Sequence, residues 1–167
     1  MSAETQLSSL AGGTSDYLIS YQHKDVDMGS KLDKFESKTI GKEFLFPVGS
    51  RAYASSALQE FYSLVQYSPC SNLRKIVSYM IKTKMVDQNF QIIAEATMEE
   101  TIKAMVLGGQ GIAWLPAQYI SKEIKNFTLR IMESMGGIEV DINIYRYRNS
   151  LNAGPNTWRK LINDCRI

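Results

Sequence analysis

FYSLVQYSPCSNLRKIVSYMIKTKMVDQNFQIIAEATMEETIKAMVLGGQGIAWLPAQYISKEI, residues 61–124, alternates strand-like and helix-like patterns three times, and its reading decides the fold. FYSLVQY (61–67) is β-branched and aromatic enough for a short strand. Ser68-Pro69 reads as an N-cap followed by proline at the first helical position, where a missing N–H costs nothing. Leu73, Ile76, Val77, Met80 and Ile81 recur at helical spacing and share one apolar face, so a helix runs to about Met85. NFQIIAE (89–95) is a second strand. Thr97 with Glu100 three positions on forms a capping box that opens a second helix, with Met98, Ile102, Met105 and Val106 on its buried face. Gly108-Gly109 ends that helix through a left-handed cap, GIAWL (111–115) follows as a near-continuous apolar strand, and Pro116 opens a third helical segment through Ile124.

Strands and helices alternating over short connections imply right-handed crossovers and a parallel sheet. In such a sheet ligands sit outside the carboxyl ends of the strands, where helix N-termini present free N–H groups. Those ends are Tyr67-Ser68, Ala96-Thr97 and Pro116, the first site candidates.

Outward from this block the signals are sparser. Leu7 and Leu10 mark an amphipathic fragment ending at Gly12-Gly13, and DYLISY (16–21) follows as a strand. FESKTIGKEFLFPV (35–48) alternates as extended structure around Gly41. IEVDINIYRY (138–147) is a period-two strand with Ile138, Val140, Ile142 and Ile144 on one face. A helix from about Pro155 to Cys165 carries Trp158, Leu161 and Ile162. The chain therefore reads as two lobes, one of residues 52–137 and one assembled from residues 1–51 plus 138–167, with no internal repeat.

Composition excludes several function classes. With 19 Lys plus Arg against 17 Asp plus Glu the net charge is +2, which argues against a protein that coats nucleic acid. A chain of about 150 residues buries some 70% of its unfolded surface, enough for a core. No apolar run approaches the roughly 20 residues of a membrane-spanning helix. MSAETQLSSLAGG has neither a basic n-region nor an apolar h-region, so the expectation is a cytoplasmic protein. Two distant cysteines, Cys70 and Cys165, and a single histidine, His23, provide no zinc spacing, no CxxC pair and no disulfide framework. A Cys70/His23 nucleophile pair stands beside the plainer reading of Cys70 as a small buried or partly buried thiol. There is no GxSxG, Walker or dinucleotide motif, so neither an enzyme nor a cofactor is expected.

Four collinear stretches resemble the effector-binding domain of LysR-type transcriptional regulators: SDYLISYQHKD (15–25), FESKTIGKEFLFPVGS (35–50), YSPCSNLRKIV (67–77) and EATMEETIKAMVLGGQGIAWLP (95–116). The resemblance extends to IYRYR (144–148) and is greatest to the branch that includes hypochlorite-responsive members. It implies a periplasmic-binding-protein-like α/β fold, two lobes with mainly parallel sheets joined by crossover strands, and a small effector held by them. It also implies that the family's winged helix-turn-helix is absent. The family's first strand, helix and second strand would precede Met1, leaving the first lobe incomplete. The family's effector contacts carry over onto Ser68, Cys70 and Ser71, onto Thr97 and Met98, and onto Gln22 and His23.

Plainer roles stand beside these. Thr97 is an N-cap, His23 a solvated loop residue, Lys24-Asp25 a solvated turn, and Tyr145 to Arg148 a strand end whose arginines reach solvent or the effector, Arg148 pairing with an anion. Met98 is the candidate for redox sensing, with Met80 and Met105 as flexible core filler. The function expected from the resemblance is a ligand-sensing regulatory domain that does not bind an operator by itself. Its expected partners are a small effector, anionic or an oxidant, and a second copy or a full-length regulator. The competing readings are a free-standing solute-binding protein of the same fold and a non-functional or modulating truncation.

Overall fold

The computed structural model describes residues 3–27, 34–55, 60–85, 87–149 and 155–164. In chain order the elements are α1 (Ala3–Ala11), β1 (Leu18–Gln22), β2 (Phe35–Ser50), α2 (Arg51–Ala54), β3 (Tyr62–Tyr67), α3 (Asn72–Lys84) and β4 (Phe90–Ala96), then α4 (Glu99–Leu107), β5 (Ile112–Pro116), α5 (Ala117–Lys125), β6 (Leu129–Ile131), a 3-10 turn (Glu133–Met135), β7 (Ile138–Tyr147) and α6 (Pro155–Asp164). No described helix is long and apolar enough to cross a membrane. The chain divides into two compact units, residues 1–43 with 140–167 (unit 1) and residues 44–139 (unit 2). The division falls inside β2 and β7, each of which runs unbroken from one unit into the other, whereas the sequence reading set it near the strand ends, at 51/52 and 137/138.

Unit 2 contains the βαβαβ block. β3 pairs parallel with β4 on one side and with β5 on the other, so the sheet runs β5-β3-β4 although the chain runs β3-β4-β5. The two crossovers therefore travel in opposite directions, and the right-handed rule sends α3 and α4 to opposite faces. Covered on both faces, β5 is buried at every position, Ile112 to Pro116. Leu73, Ile76 and Val77 of α3 and Ile102 and Val106 of α4 are buried against the sheet. Outside β5, the second half of β2 adds an antiparallel strand, with β6 also on β2. The parallel part is thus confined to β4-β3-β5. Two glycines make the β4-to-β5 crossover fit: Gly109 takes φ +77 after α4, and a Cβ on Gly111 would overlap the Ser63 carbonyl oxygen of β3.

In unit 1, β1 pairs antiparallel with β7, from Leu18 opposite Tyr145 to Gln22 opposite Asp141. Among the described residues, two small apolar clusters lie in this unit. Leu10 of α1 packs with Phe35 and Tyr145, and Trp158 of α6 packs with Ile40 and Ile144. Residues of β7 from Asn143 to Tyr145 are therefore consecutively buried, while Ile142 is only half-buried. The simple alternation expected for β7 holds only in its first turn of pleat, because farther along both faces are covered.

Two of the helix starts in unit 2, those of α3 and α4, lie later than the sequence suggested. Ser68-Pro69-Cys70-Ser71 is a turn, closed by the Ser71 N–H on the Ser68 carbonyl at 2.9 Å. The helix begins at Asn72, with Ser71 at the cap position in extended conformation and no side-chain cap bond. At α4 the carbonyl of Met98, not of Thr97, receives the first helical N–H groups, from Thr101 at 3.1 Å and Ile102 at 3.2 Å. Thr97 is thus one residue too early to cap, and no side chain caps α4. The same shift turns Met98 out of the expected buried face: it is 60% exposed. The C-terminal end expected at Cys165 lies outside the described residues.

Candidate functional site

The carboxyl ends of β3 and β4 lie side by side, because the Ser68 N–H donates to the Ala96 carbonyl at 2.9 Å. That bond brings the Ser68–Ser71 turn next to Thr97 and Met98, so five of the sequence candidates occupy one end of the unit 2 sheet. Ser68 and Ser71 are partly buried, while Cys70, Thr97 and Met98 are exposed. Cys70 is therefore not the buried or partly buried thiol of the plainer reading. The starts of α3 and α4 flank the same end and present N–H groups that no side chain caps. Electrostatically they differ. The first turn of α3 holds no acidic residue, whereas α4 begins with Glu99 and Glu100, whose carboxylates offset the positive end of that helix.

Sequence reasoning missed the residue that ties this end together. Arg74 Nη1 donates to the Tyr67 carbonyl at 3.0 Å and to Glu95 Oε1 at 2.7 Å, joining the last residue of β3 to β4. Its only signal was an arginine in the first turn of α3 with an acidic residue just before Thr97. Pro116, at the end of β5, caps α5 without a side-chain bond; beneath it the Tyr67 hydroxyl donates to the Trp114 carbonyl at 2.9 Å.

Gln22 and His23 belong to unit 1, at the end of β1. Gln22 Oε1 accepts from the Tyr145 hydroxyl at 2.7 Å and from Asn143 Nδ2. Asn143 is 8% exposed, and its Oδ1 is buried with no hydrogen-bond partner. Burial pushes the Tyr145 phenol up, with the Asn143 contact opposing. The signal for Asn143 was one polar residue breaking an apolar run, INI. His23 is not a solvated loop side chain, being 11% exposed; its Nδ1 accepts the Asp25 N–H at 3.2 Å, while Lys24 and Asp25 are an exposed turn as expected.

The two arginines of YRYR have unlike fates. Arg146 donates to Glu36 Oε2 from Nε at 2.9 Å and Nη2 at 2.6 Å, and its guanidinium lies 5.2 Å from the Trp158 ring centre. Trp158 Nε1 donates to Glu36 Oε1 at 2.9 Å, and Tyr17 stacks on the indole. The Arg146 guanidinium, helped by the indole N–H, holds the Glu36 carboxyl below its ordinary range. Arg146 is thus committed inside unit 1, whereas Arg148 is exposed and donates from Nε to the Phe35 carbonyl at 3.3 Å. Among the described residues, no group of three or more His, Cys, Asp or Glu side chains is placed to hold a metal ion.

With this arrangement established, comparison with known proteins defines the class. Residues 1–164 match the LysR substrate binding domain, and the chain belongs to that family. It is 28% identical over 162 residues to the HTH domain-truncated transcriptional regulator QseD of Escherichia coli O157:H7, covering 91% of this chain and 63% of that protein. It is likewise 28% identical to the HTH-type transcriptional regulator YjiE of Escherichia coli K12, covering 50% of its length. The chain thus spans between half and two thirds of these relatives. Full-length HypT from Salmonella typhimurium, a hypochlorite-specific LysR-type transcriptional regulator, superposes with a TM-score of 0.77 at 22% identity, covering 99% of this chain and 57% of that one. The mixed α/β fold is that of LysR regulatory domains, and the chain is an effector-binding domain of the LysR type, a regulatory rather than an enzymatic family.

Proposed function

We propose that this domain senses a small anionic effector at the adjoining ends of β3 and β4, where Ser68, Cys70, Ser71, Thr97 and Met98 supply the contacts. The single observation that carries the reading is the bond from Ser68 to Ala96, which sets two uncapped helix starts beside one sheet end. The preference for an anion follows from the N–H groups of α3 and the absence of acid in its first turn. Gln22 and His23 are proposed as effector contacts on the family resemblance alone. The domain acts without catalysis in the cytoplasm, pairs with a second copy or with a full-length regulator, and leaves operator binding to another domain. Bound effector shifts the balance between conformations, and that shift is the signal.

The test is a melting curve in chloride, bromide or phosphate at constant ionic strength. At a hundredfold excess over Kd a bound anion adds about 2.7 kcal/mol of stability. Ser71→Asp, which places a carboxylate at the start of α3, should abolish the shift. No shift with any anion, or one that S71D leaves intact, overturns the reading, and turnover of any of these compounds overturns the absence of catalysis.

One observation favours a second reading, oxidant sensing through Met98. That side chain is 60% exposed, whereas Met85 and Met135 are buried, and thioether oxidation follows exposure. After mild hypochlorite, peptide mass spectra should show Met98 oxidised before Met80; equal rates would end the idea.

A further inference from the structure

We infer that unit 2 carries a second ligand site, between α4 and α5, that takes a small aromatic carboxylate. An open groove of about 410 Å³ lies there, lined by Lys103, Gln118, Tyr119, Lys122 and Glu123. That volume is within the range of about 300–1,000 Å³ usual for small-molecule sites. It lies along the helix flanks, on residues distinct from the Ser68 to Met98 contacts proposed for the effector, so the two sites stand or fall separately.

The chemistry of the lining selects the ligand. Lys103 Nζ donates to the Tyr119 carbonyl at 2.9 Å and to Glu123 Oε1 at 3.0 Å. An ammonium has three N–H groups, so one remains for a ligand, and its position is held by two fixed bonds rather than by a free stem. Lys103 balances the charge of Glu123, and keeps that carboxyl below its ordinary range, so Lys122 is the cation left over in the lining. Gln118 adds an amide donor. Gln118 and Tyr119 belong to the first turn of α5, which holds no acidic residue and no side-chain cap, so the backbone also favours negative charge there.

Tyr119 supplies the selectivity for a ring. Its side chain is 37% exposed on the groove, a face on which a planar ligand stacks. The neighbouring carboxylates of Glu100 and Glu99 push its phenol up. The same two carboxylates disfavour an anion at the phenol end, so the ligand's carboxylate lies toward Lys122 and Gln118 with its ring over Tyr119.

Benzoate and acetate are the probes, titrated into ¹⁵N-labelled full chain and followed by amide shifts. Benzoate should give a saturable response in residues 118–123 at millimolar concentration, and acetate a weaker one. Lys122→Gln should weaken benzoate by about two- to fivefold, the loss of one exposed charge contact of ordinary size. Tyr119→Ala should remove the preference of benzoate over acetate, while Tyr119→Phe, which keeps the ring, retains it. Both positions are exposed, and unchanged amide positions in β3 and β5 report that each variant is folded. The S71D variant of the preceding section should leave this response intact. Shifts that do not saturate, that are confined to Ser68–Met98, or that survive both K122Q and Y119A overturn the inference.

Discussion

In unit 2 every position of β5 is buried and three helices contribute buried apolar residues against the sheet. Among the described residues of unit 1 the apolar clusters are small, three buried residues at α1 and three at α6, and polar partnerships complete them. Gln22, Asn143 and Tyr145 form one such partnership, and Glu36, Arg146 and Trp158 the other. The two forms of cohesion fail differently. Apolar burial is lost in proportion to the atoms removed, whereas a partnered polar group that loses its partner leaves a buried donor or acceptor unsatisfied, at about 1–3 kcal/mol.

The largest expected effect contrasts the same substitution in the two units. Gly111→Ala places a Cβ against the Ser63 carbonyl, backbone that cannot step aside because Leu64 is paired with Ile112 next door. Denaturant unfolding should show a loss above about 4 kcal/mol, or no folded protein at all. Gly13→Ala in unit 1 meets nothing within 4 Å, and its only cost is φ +73, about 1–2 kcal/mol. Equal losses at the two positions would mean that the close β3–β5 approach is not a constraint.

Next in size is the clasp on α6. Trp158→Ala removes most of one cluster and should cost about 3–5 kcal/mol. Trp158→Phe keeps a ring against Tyr17 but removes the indole donor to Glu36 Oε1, a partly exposed carboxylate that water can serve instead, so about 0.5–1.5 kcal/mol should remain as the polar share. If the two variants melt alike, packing carries nothing there; if the Phe variant matches wild type, the polar partnership carries nothing. The same clasp has a pH signature. The folded Glu36 carboxyl lies below its ordinary value of 4.5, so between the two values the unfolded chain binds more protons. The stabilisation is present above 4.5 and is lost as pH falls through the folded value. Glu36 is partly exposed, so the effect is modest, and Glu36→Gln should flatten the acid limb of melting temperature against pH.

This difference between units also governs what could be read from the sequence. The βαβαβ order of unit 2 was legible because each element carries its own period and its own stop: the spacing of Leu73, Ile76 and Val77, the glycines at 108 and 109, the run IAWL. The sheet end that gathers Ser68, Thr97 and Met98 was legible for the same reason, since strand ends follow from strand order. What was not legible is whatever is closed by distant partners. Asn143 meets Gln22 across 121 positions, and Trp158 meets Glu36 across 122. Nothing local in either segment announces its partner, and Arg146, read as reaching outward, is committed to Glu36 for that reason. The α4–α5 groove was missed likewise, because Lys103 and Glu123 converge only once two helices have packed.

The smallest expected effect concerns the one place where a local rule misled within the legible unit. A capping box from Thr97 to Glu100 predicts that Thr97→Ala costs about 1 kcal/mol, the usual worth of a side-chain N-cap. In the structure the Met98 carbonyl starts the helix and the Thr97 side chain is exposed. The substitution should then move stability by no more than about 0.5 kcal/mol. If urea titration instead gives the full capping cost, the first turn of α4 begins one residue earlier than described, and Met98 would turn back toward the buried face. Its exposure, and with it the oxidant-sensing reading, would fall together with the helix start.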